Sequence, residues 1–137
     1  MKMPIRTIYG LQALFEIALH SNIEGVPSSD IAEAQKIPVK FLEQILSSLK
    51  KEKLVRSYRG RKGGYILGRL PKDISLLDVI EALEGPVLLT GGGRAENTVR
   101  QMLKVIESKL IEELRSVNFE ELIKEKIKKE KISLYSI

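Results

Sequence analysis

Residues 54 to 68 read Leu-Val-Arg-Ser-Tyr-Arg-Gly-Arg-Lys-Gly-Gly-Tyr-Ile-Leu-Gly, and this pattern predicts a β-hairpin with a basic tip. Aliphatic and aromatic strand formers occupy both ends, and the glycines between them supply the positive φ angles that a tight connection needs. Several cations on one hairpin repel one another, which is unfavourable unless an extended anion lies opposite them. A phosphate backbone is the commonest such anion. The alternative is a solvated turn. The four cations of the hairpin are Arg56, Arg59, Arg61 and Lys62.

A helix-turn-helix pattern comes directly before this hairpin. Ser28 or Ser29 is placed to cap a short helix that ends near Gln35. After a turn that contains Pro38, residues 39 to 53 return to helical periodicity. This order makes the hairpin the wing of a winged helix.

Two further helices should complete the core of this winged domain. Apolar residues at helical spacing predict the first helix over residues 5 to 21, after Pro4. Ser75 and Asp78 have the spacing of a capping box at the start of the other helix, which Gly85 and Pro86 should end.

The helix predicted over residues 39 to 53 has two regular faces. Its apolar face consists of Leu42, Ile45, Leu46 and Leu49, and its polar face of Lys40, Glu43, Gln44 and Ser47. Lysine suits guanine or phosphate, glutamine suits adenine, and glutamate can accept a hydrogen bond from cytosine N4. This pattern is typical of a recognition helix, although an ordinary amphipathic helix with a solvated face has the same periodicity.

The distribution of charge assigns polyanion binding to the first half of the chain. Residues 1 to 70 hold 12 Lys and Arg against 6 Asp and Glu, whereas residues 71 to 137 hold 11 against 12. Side chains and N–H groups at the start of the first helix could also contact a phosphate oxygen. The candidate DNA-binding residues are Arg6, Thr7, Tyr9, Ser28, Lys40, Phe41, Glu43, Gln44, Ser47, Arg56, Arg59, Gly60, Arg61 and Lys62.

The remainder of the chain reads as a connector followed by two helices. Residues 86 to 97 contain Gly91-Gly92-Gly93 without helix or strand periodicity, which predicts a flexible connector. The alternative with a specific function is a phosphate-binding loop. The absence of Gly-Lys-Ser/Thr after the glycines argues against it. A last helix should begin at Asn118, which with Glu121 has capping-box spacing, and its Lys/Glu-mixed end should be a solvated face.

Residues 98 to 117 predict a long amphipathic helix whose apolar stripe lies beyond a complete small domain. Such a stripe needs a partner surface, and a second copy of the chain is the simplest one. The candidate dimerisation residues are Val99, Met102, Leu103, Ile106, Leu110 and Leu114.

These patterns together predict a mainly α fold with a small β-hairpin. The expected units are a winged helix-turn-helix domain over residues 1–85, the connector over 86–97, and a dimerisation helix with a C-terminal helix over 98–137.

Composition excludes several classes of function. The 137 residues include no cysteine and one histidine, so disulfides, thiolate metal sites and the usual catalytic assemblies cannot be built, and we expect no enzyme. No apolar run approaches the length of a membrane span, and Arg6 and Glu16 interrupt the apolar N-terminal segment. We therefore expect a cytoplasmic protein without a membrane partner or a signal peptide.

Three strings resemble the Rrf2 family of bacterial winged-helix regulators, the IscR, NsrR and CymR type. They are Phe-Leu-Glu-Gln-Ile-Leu at 41 to 46, the hairpin sequence at 54 to 67, and Leu-Asp-Val-Ile-Glu-Ala-Leu-Glu-Gly-Pro at 77 to 86. The resemblance implies a dimer on a palindromic operator in double-stranded DNA, with the third helix in the major groove and the wing in the minor groove. By position it also implies that Glu43 and Gln44 read bases and that Arg59 enters the minor groove.

Many members of the family hold an iron–sulfur cluster through three cysteines in a loop that corresponds here to residues 87 to 97. This chain has no cysteine there, and Ile8 stands where some members place an acidic ligand. We therefore expect no cofactor, and a signal that comes through a regulatory protein or a small-molecule effector. Gly91 to Gly93 could then hinge the winged domain against the dimerisation helix.

Two functions follow from these observations. The first is a sequence-specific transcriptional repressor. The alternative is a dimeric protein-interaction module in which DNA binding is weak or lost, but such a module has no use for four cations on one hairpin.

Overall fold

A computed structural model describes residues 1–20, 24–59, 63–90 and 97–135 of the chain. The predicted class is confirmed, since the described residues are mainly helical with one two-stranded antiparallel hairpin. None of the described helices is long and apolar enough to cross a membrane. The elements in chain order are α1 (Ile5–Leu19), α2 (Ser28–Gln35), α3 (Val39–Lys51), β1 (Val55–Tyr58), β2 (Gly64–Leu67), a short 3-10 helix (Pro71–Asp73), α4 (Leu76–Glu84), α5 (Thr98–Ser116) and α6 (Phe119–Tyr135).

Prolines and left-handed residues set the limits of the helix-turn-helix. Pro27 and Pro38 precede α2 and α3 in an extended conformation, and neither helix has a side-chain cap. The prediction that Ser28 or Ser29 caps α2 is therefore wrong. Lys36 ends α2 with φ 54°, and Lys53, with φ 62°, follows the end of α3, which stops at Lys51 instead of the predicted residue 53.

The hairpin forms where the sequence predicts it. Its register pairs Val55 with Leu67 and Tyr58 with Gly64. Val55 is fully buried, whereas the three residues after it in β1 are exposed, so one end of the hairpin is part of the core. Gly60, Arg61 and Lys62, which were predicted to bind DNA, lie outside the described residues.

The hydrophobic core is built around α1. This helix packs against α2, α3, α4, β2 and α6. The apolar face predicted for α3 is buried in full, since Leu42, Ile45, Leu46 and Leu49 are inaccessible to solvent. As a consequence, the polar face of α3 is directed outward.

The predicted capping box of α4 is present. The Ser75 hydroxyl accepts a hydrogen bond of 3.1 Å from the Asp78 N–H, and the Asp78 carboxylate accepts one of 2.9 Å from the Ser75 N–H. Both donors are ones that a helix cannot satisfy internally, so the box fixes where α4 begins.

The start of α6 returns to the winged domain. Phe119 is fully buried in the core, and its N–H donates to the Ile74 carbonyl oxygen at 3.0 Å. Next to it, the Leu76 N–H donates to the Val117 carbonyl oxygen at 2.9 Å. The predicted division placed residue 119 outside the winged domain, whereas the structure makes Phe119 one of the largest side chains in the core of that domain.

Candidate nucleic-acid interface

The exposed face of α3 carries the four polar residues selected from the sequence. Lys40, Glu43, Gln44 and Ser47 are all exposed, and with Arg6 and Ser48 they line an open depression of about 560 Å³. A carboxylate, an amide, an ammonium group and a hydroxyl thus occur together on one exposed helix face. Groups of these types can pair with the donors and acceptors on base edges.

An aromatic ring at the start of α3 packs against an aromatic ring of α1. The rings of Tyr9 and Phe41 meet edge to face, with centroids 5.6 Å apart and planes at 88°. Both side chains are partly buried against the core. This contact attaches α3 to α1, so these two candidate DNA-binding residues have a structural role at the edge of the polar face.

Arg6 also lies at this edge, but its guanidinium faces inward. Nη2 donates to the Ser48 hydroxyl at 2.7 Å, and Nη1 donates to the Leu83 carbonyl oxygen at 3.0 Å. The side chain therefore joins α1 to α3 and to the end of α4.

Thr7 does not lie on the surface as predicted. Its side chain is fully buried, and its hydroxyl donates to Glu84 Oε1 at 2.6 Å. Its N–H is also occupied, since it donates to the Pro4 carbonyl oxygen at 3.0 Å. The prediction of a DNA contact by Thr7 is therefore wrong, because neither of its donors is available.

The wing contacts the loop that precedes α2. Arg56 and Arg59 are both exposed, and Arg56 is paired across the hairpin with Ile66. Ser28 is the partly buried first residue of α2, next to the loop that contacts the wing.

That loop holds the wing by a pairing that the sequence did not reveal. Val26 and Tyr65 form an isolated antiparallel bridge outside the two strands. The approach is close, because a Cβ placed on Gly25 would lie 2.9 Å from the Gly64 nitrogen. Glycine at both positions is the one sequence signal that could have indicated this contact.

The predicted dimerisation residues lie along one exposed side of α5. None of the residues of this helix, all of which the structure describes, is buried. Val99 is 69% exposed, Met102 57% and Ile106 50%, while Leu103 and Leu110 are exposed and Leu114 is partly buried. A contiguous apolar stripe that is exposed along one helix is typical of an interaction surface.

The side chains present do not fit an iron–sulfur cluster. The chain has no cysteine, and the described residues contain no group of three His, Cys, Asp or Glu side chains that could hold a metal ion. Individual side chains of these types have partners within the chain. The Glu107 carboxylate accepts a hydrogen bond of 2.7 Å from the Leu89 N–H, and His20 pairs with Glu16 on α1. Iron–sulfur clusters are held by thiolates, so a cysteine-ligated cluster cannot form on this chain.

Solved structures share this fold over most of the chain. The structure of T. potens IscR has a TM-score of 0.82 and 33% identity, over 91% of this chain and 88% of that one. CymR, described as the global cysteine regulator of B. subtilis, has a TM-score of 0.82 and 31% identity, over 90% of this chain and 97% of that one.

Relatives in sequence are transcriptional regulators of the helix-turn-helix type. The regulator IscR of Xenorhabdus nematophila is 35% identical over 133 residues, covering 90% of this chain and 80% of that protein. An HTH-type regulator of Mycobacterium tuberculosis is 40% identical over 87 residues. That match covers 64% of this chain and 54% of the relative, so the chain spans about half the length of the mycobacterial protein.

The match to a family model covers both the helix-turn-helix and the helices that follow it. The model is described as Rrf2, iron-dependent transcriptional regulator, and it matches residues 3–125. The predicted family and the prediction of a regulator instead of an enzyme are thereby confirmed. A winged helix with this outward polar face, these relatives and this family match together establish that the chain belongs to the Rrf2 family of transcriptional regulators.

Proposed function

We propose that the chain is a sequence-specific DNA-binding repressor that acts in the bacterial cytoplasm as a homodimer on a palindromic operator. One observation carries this proposal: the polar face of α3 is exposed, and so are the described cations of the wing, Arg56 and Arg59. The two elements would give the domain a base-reading surface and a phosphate-binding surface on one side.

In this proposal α3 enters the major groove. The Gln44 amide would pair with adenine, the Glu43 carboxylate would accept from cytosine N4, and Lys40 would bind guanine or a phosphate. Glu43 is the diagnostic residue, because a carboxylate among phosphates is unfavourable unless it accepts a hydrogen bond from a base. Phe41 and Tyr9 would hold the start of the helix in place.

The wing would enter the adjacent minor groove. Arg59 is the residue proposed to lie in the groove, with Arg56 on a flanking phosphate. Because both side chains are cations close to phosphates, their contribution should be mainly electrostatic, and the phosphate contact of Arg56 should not depend on the base sequence.

Dimerisation would use the exposed stripe of α5. Two copies related by a twofold axis would bury this stripe against itself and place their recognition helices on half-sites separated by a multiple of about 10 bp. The exposure of Val99, Met102 and Ile106 supports this assignment, because these side chains have no covering element among the described residues.

Regulation would not use a cysteine-ligated cluster. The signal would instead come from a regulatory protein or a small-molecule effector. A hinge at Gly91 to Gly93 was predicted as the responding element, but these residues lie outside the described part of the chain.

The experiment is selection of bound sequences from a random duplex pool, followed by affinity measurements at several salt concentrations. Arg59→Ala should weaken binding to all sequences and reduce the salt slope by about one unit, because one phosphate-proximal cation is lost. Glu43→Ala should change which sequence is preferred. Arg115→Ala, on an exposed site of α5, is the matched control and should change neither property.

An absence of salt-dependent binding to duplex DNA would reject the repressor and favour the alternative, a dimeric protein-interaction module. Uniform weakening by Glu43→Ala at every sequence would reject base reading by that carboxylate.

A further inference from the structure

Helix α1 holds the recognition helix at two points. Arg6 contacts Ser48 near the end of α3, and three residues later Tyr9 contacts Phe41 near its beginning. Residues three or four positions apart share one side of a helix, so Gln44 lies on the same flank, between Phe41 and Ser48. Two attachments on one flank fix the rotation of α3 about its own axis and hence the direction of Gln44.

Arg6 also connects α3 to the last turn of α4. The Leu83 carbonyl oxygen, which accepts from Nη1 at 3.0 Å, belongs to the last four residues of that helix, whose carbonyl groups have no intrahelical partner. A cation at this end also interacts favourably with the helix dipole. Next to it, Thr7 donates to Glu84, so two consecutive residues of α1 hold two consecutive residues of α4.

The Arg6 guanidinium acts as an internal brace, by which we mean that it joins α3 to α4 within the domain. This geometry differs from that expected of a phosphate ligand. Arg6 is partly buried, and two different nitrogens of its guanidinium are directed to acceptors on two different helices. A guanidinium can do this because its donors form a rigid planar fork, whereas the single ammonium of lysine cannot reproduce the fork.

We propose that Arg6 is a positioning residue that sets the base-reading flank of α3 against the end of α4, and that it does not bind a phosphate. This inference rests on the proposed function. The end of α4 leads through Gly85 and Pro86 toward α5, so the brace also connects the direction of Gln44 to the part of the chain that carries the proposed dimer interface.

The test compares the unchanged chain of residues 1–137 with Arg6→Ala, Arg6→Lys and Ser48→Ala on the selected operator and on random duplex DNA. Arg6→Ala and Ser48→Ala should each weaken operator binding about tenfold, the loss expected for one misread base pair, with the salt slope and the affinity for random DNA unchanged. Discrimination at the base pair read by Gln44 should fall in both variants. Arg6→Lys keeps the charge but should not restore that discrimination.

Arg59→Ala is the control for a cation that contributes to binding through its charge near the phosphates, and it should lower the salt slope and the affinity for both kinds of DNA. The proposal is contradicted if Arg6→Ala lowers the salt slope and both affinities as Arg59→Ala does, while Ser48→Ala and Arg6→Lys bind the operator like the unchanged protein. Arg6 would then be a phosphate ligand. Circular dichroism should show that the variants are folded. If Arg6→Ala does not fold, Ser48→Ala, which removes a single hydrogen bond, decides the question alone. Failure of the unchanged protein to bind DNA would instead reject the proposed function, and the inference with it.

Discussion

Val26 and Tyr65 donate a backbone hydrogen bond to each other, and both bonds measure 2.8 Å. The wing is therefore not a free hairpin, because the loop before α2 pairs with its second strand. These two bonds hold the second strand of the wing against the loop that leads into α2.

We expect Gly64→Ala to break this connection. A Cβ at position 64 would lie 2.3 Å from the Val26 carbonyl carbon and 2.4 Å from its oxygen, which are backbone atoms that cannot rotate away. The free energy of unfolding, measured in urea, should fall by about 1–3 kcal/mol, the usual range for overpacking. Affinity for DNA should fall as well. Ser57→Ala, an exposed change in the same hairpin, is the control and should leave both quantities nearly unchanged.

Phe119→Ala should destabilise the winged domain even though this residue follows the long helix α5. The side chain is fully buried, and removing a buried phenylalanine typically costs about 3–5 kcal/mol. Ile127→Ala, at a position that is 45% exposed in the same helix, should cost far less. If the two variants had equal unfolding curves, the start of α6 would not contribute to the stability of the winged domain.

The contrast between α4 and Phe119 shows what the sequence could predict about the fold. The capping box of α4 was found correctly because Ser75 and Asp78 lie within one helical turn. The burial of Phe119 was missed, since it depends on contacts with Ile74 that are distant in sequence. The pairing of Val26 with Tyr65 was missed for the same reason.

Charged substitutions on the stripe of α5 should produce monomers. Ile106→Glu with Leu110→Glu would place two carboxylates where the proposed interface excludes water, and burying unpaired charges is costly. Sedimentation should show half the mass of the unchanged protein. Ser108→Glu adds the same carboxylate on the opposite side of the helix and should leave the dimer intact. A dimer that survives both stripe substitutions would place the interface elsewhere.

Iron should have no part in DNA binding by this chain. Because no thiolate is available, the protein should be colourless when purified without oxygen. Its affinity for the operator should be the same with or without oxygen, nitric oxide or an iron chelator. A brown protein with visible absorbance and bound iron would contradict this expectation.

The candidate site was predictable to the extent that it follows helical periodicity. The polar face of α3 is regular and was located correctly, since an apolar face of equal regularity fixes which side is buried. Thr7 and Arg6 could not be placed in this way, because their orientation depends on α4, which packs against α1 from a distant part of the sequence. The structure thus moves Thr7 into the interior and gives Arg6 two internal partners.

The return of the chain at Phe119 bears on how members of such a family can diverge. Helix α5 is attached to the winged domain at its far end, through Val117 and Phe119, and it also packs against α4. The covalent link between Gly85 and Asn97 is thus one attachment among several. If the chain acts as the proposed dimer and the signal acts on this link, sequence change in the link would alter the response while these other contacts continue to hold α5 against the winged domain. Under that proposal, the chemistry of sensing and the geometry of operator recognition can change separately.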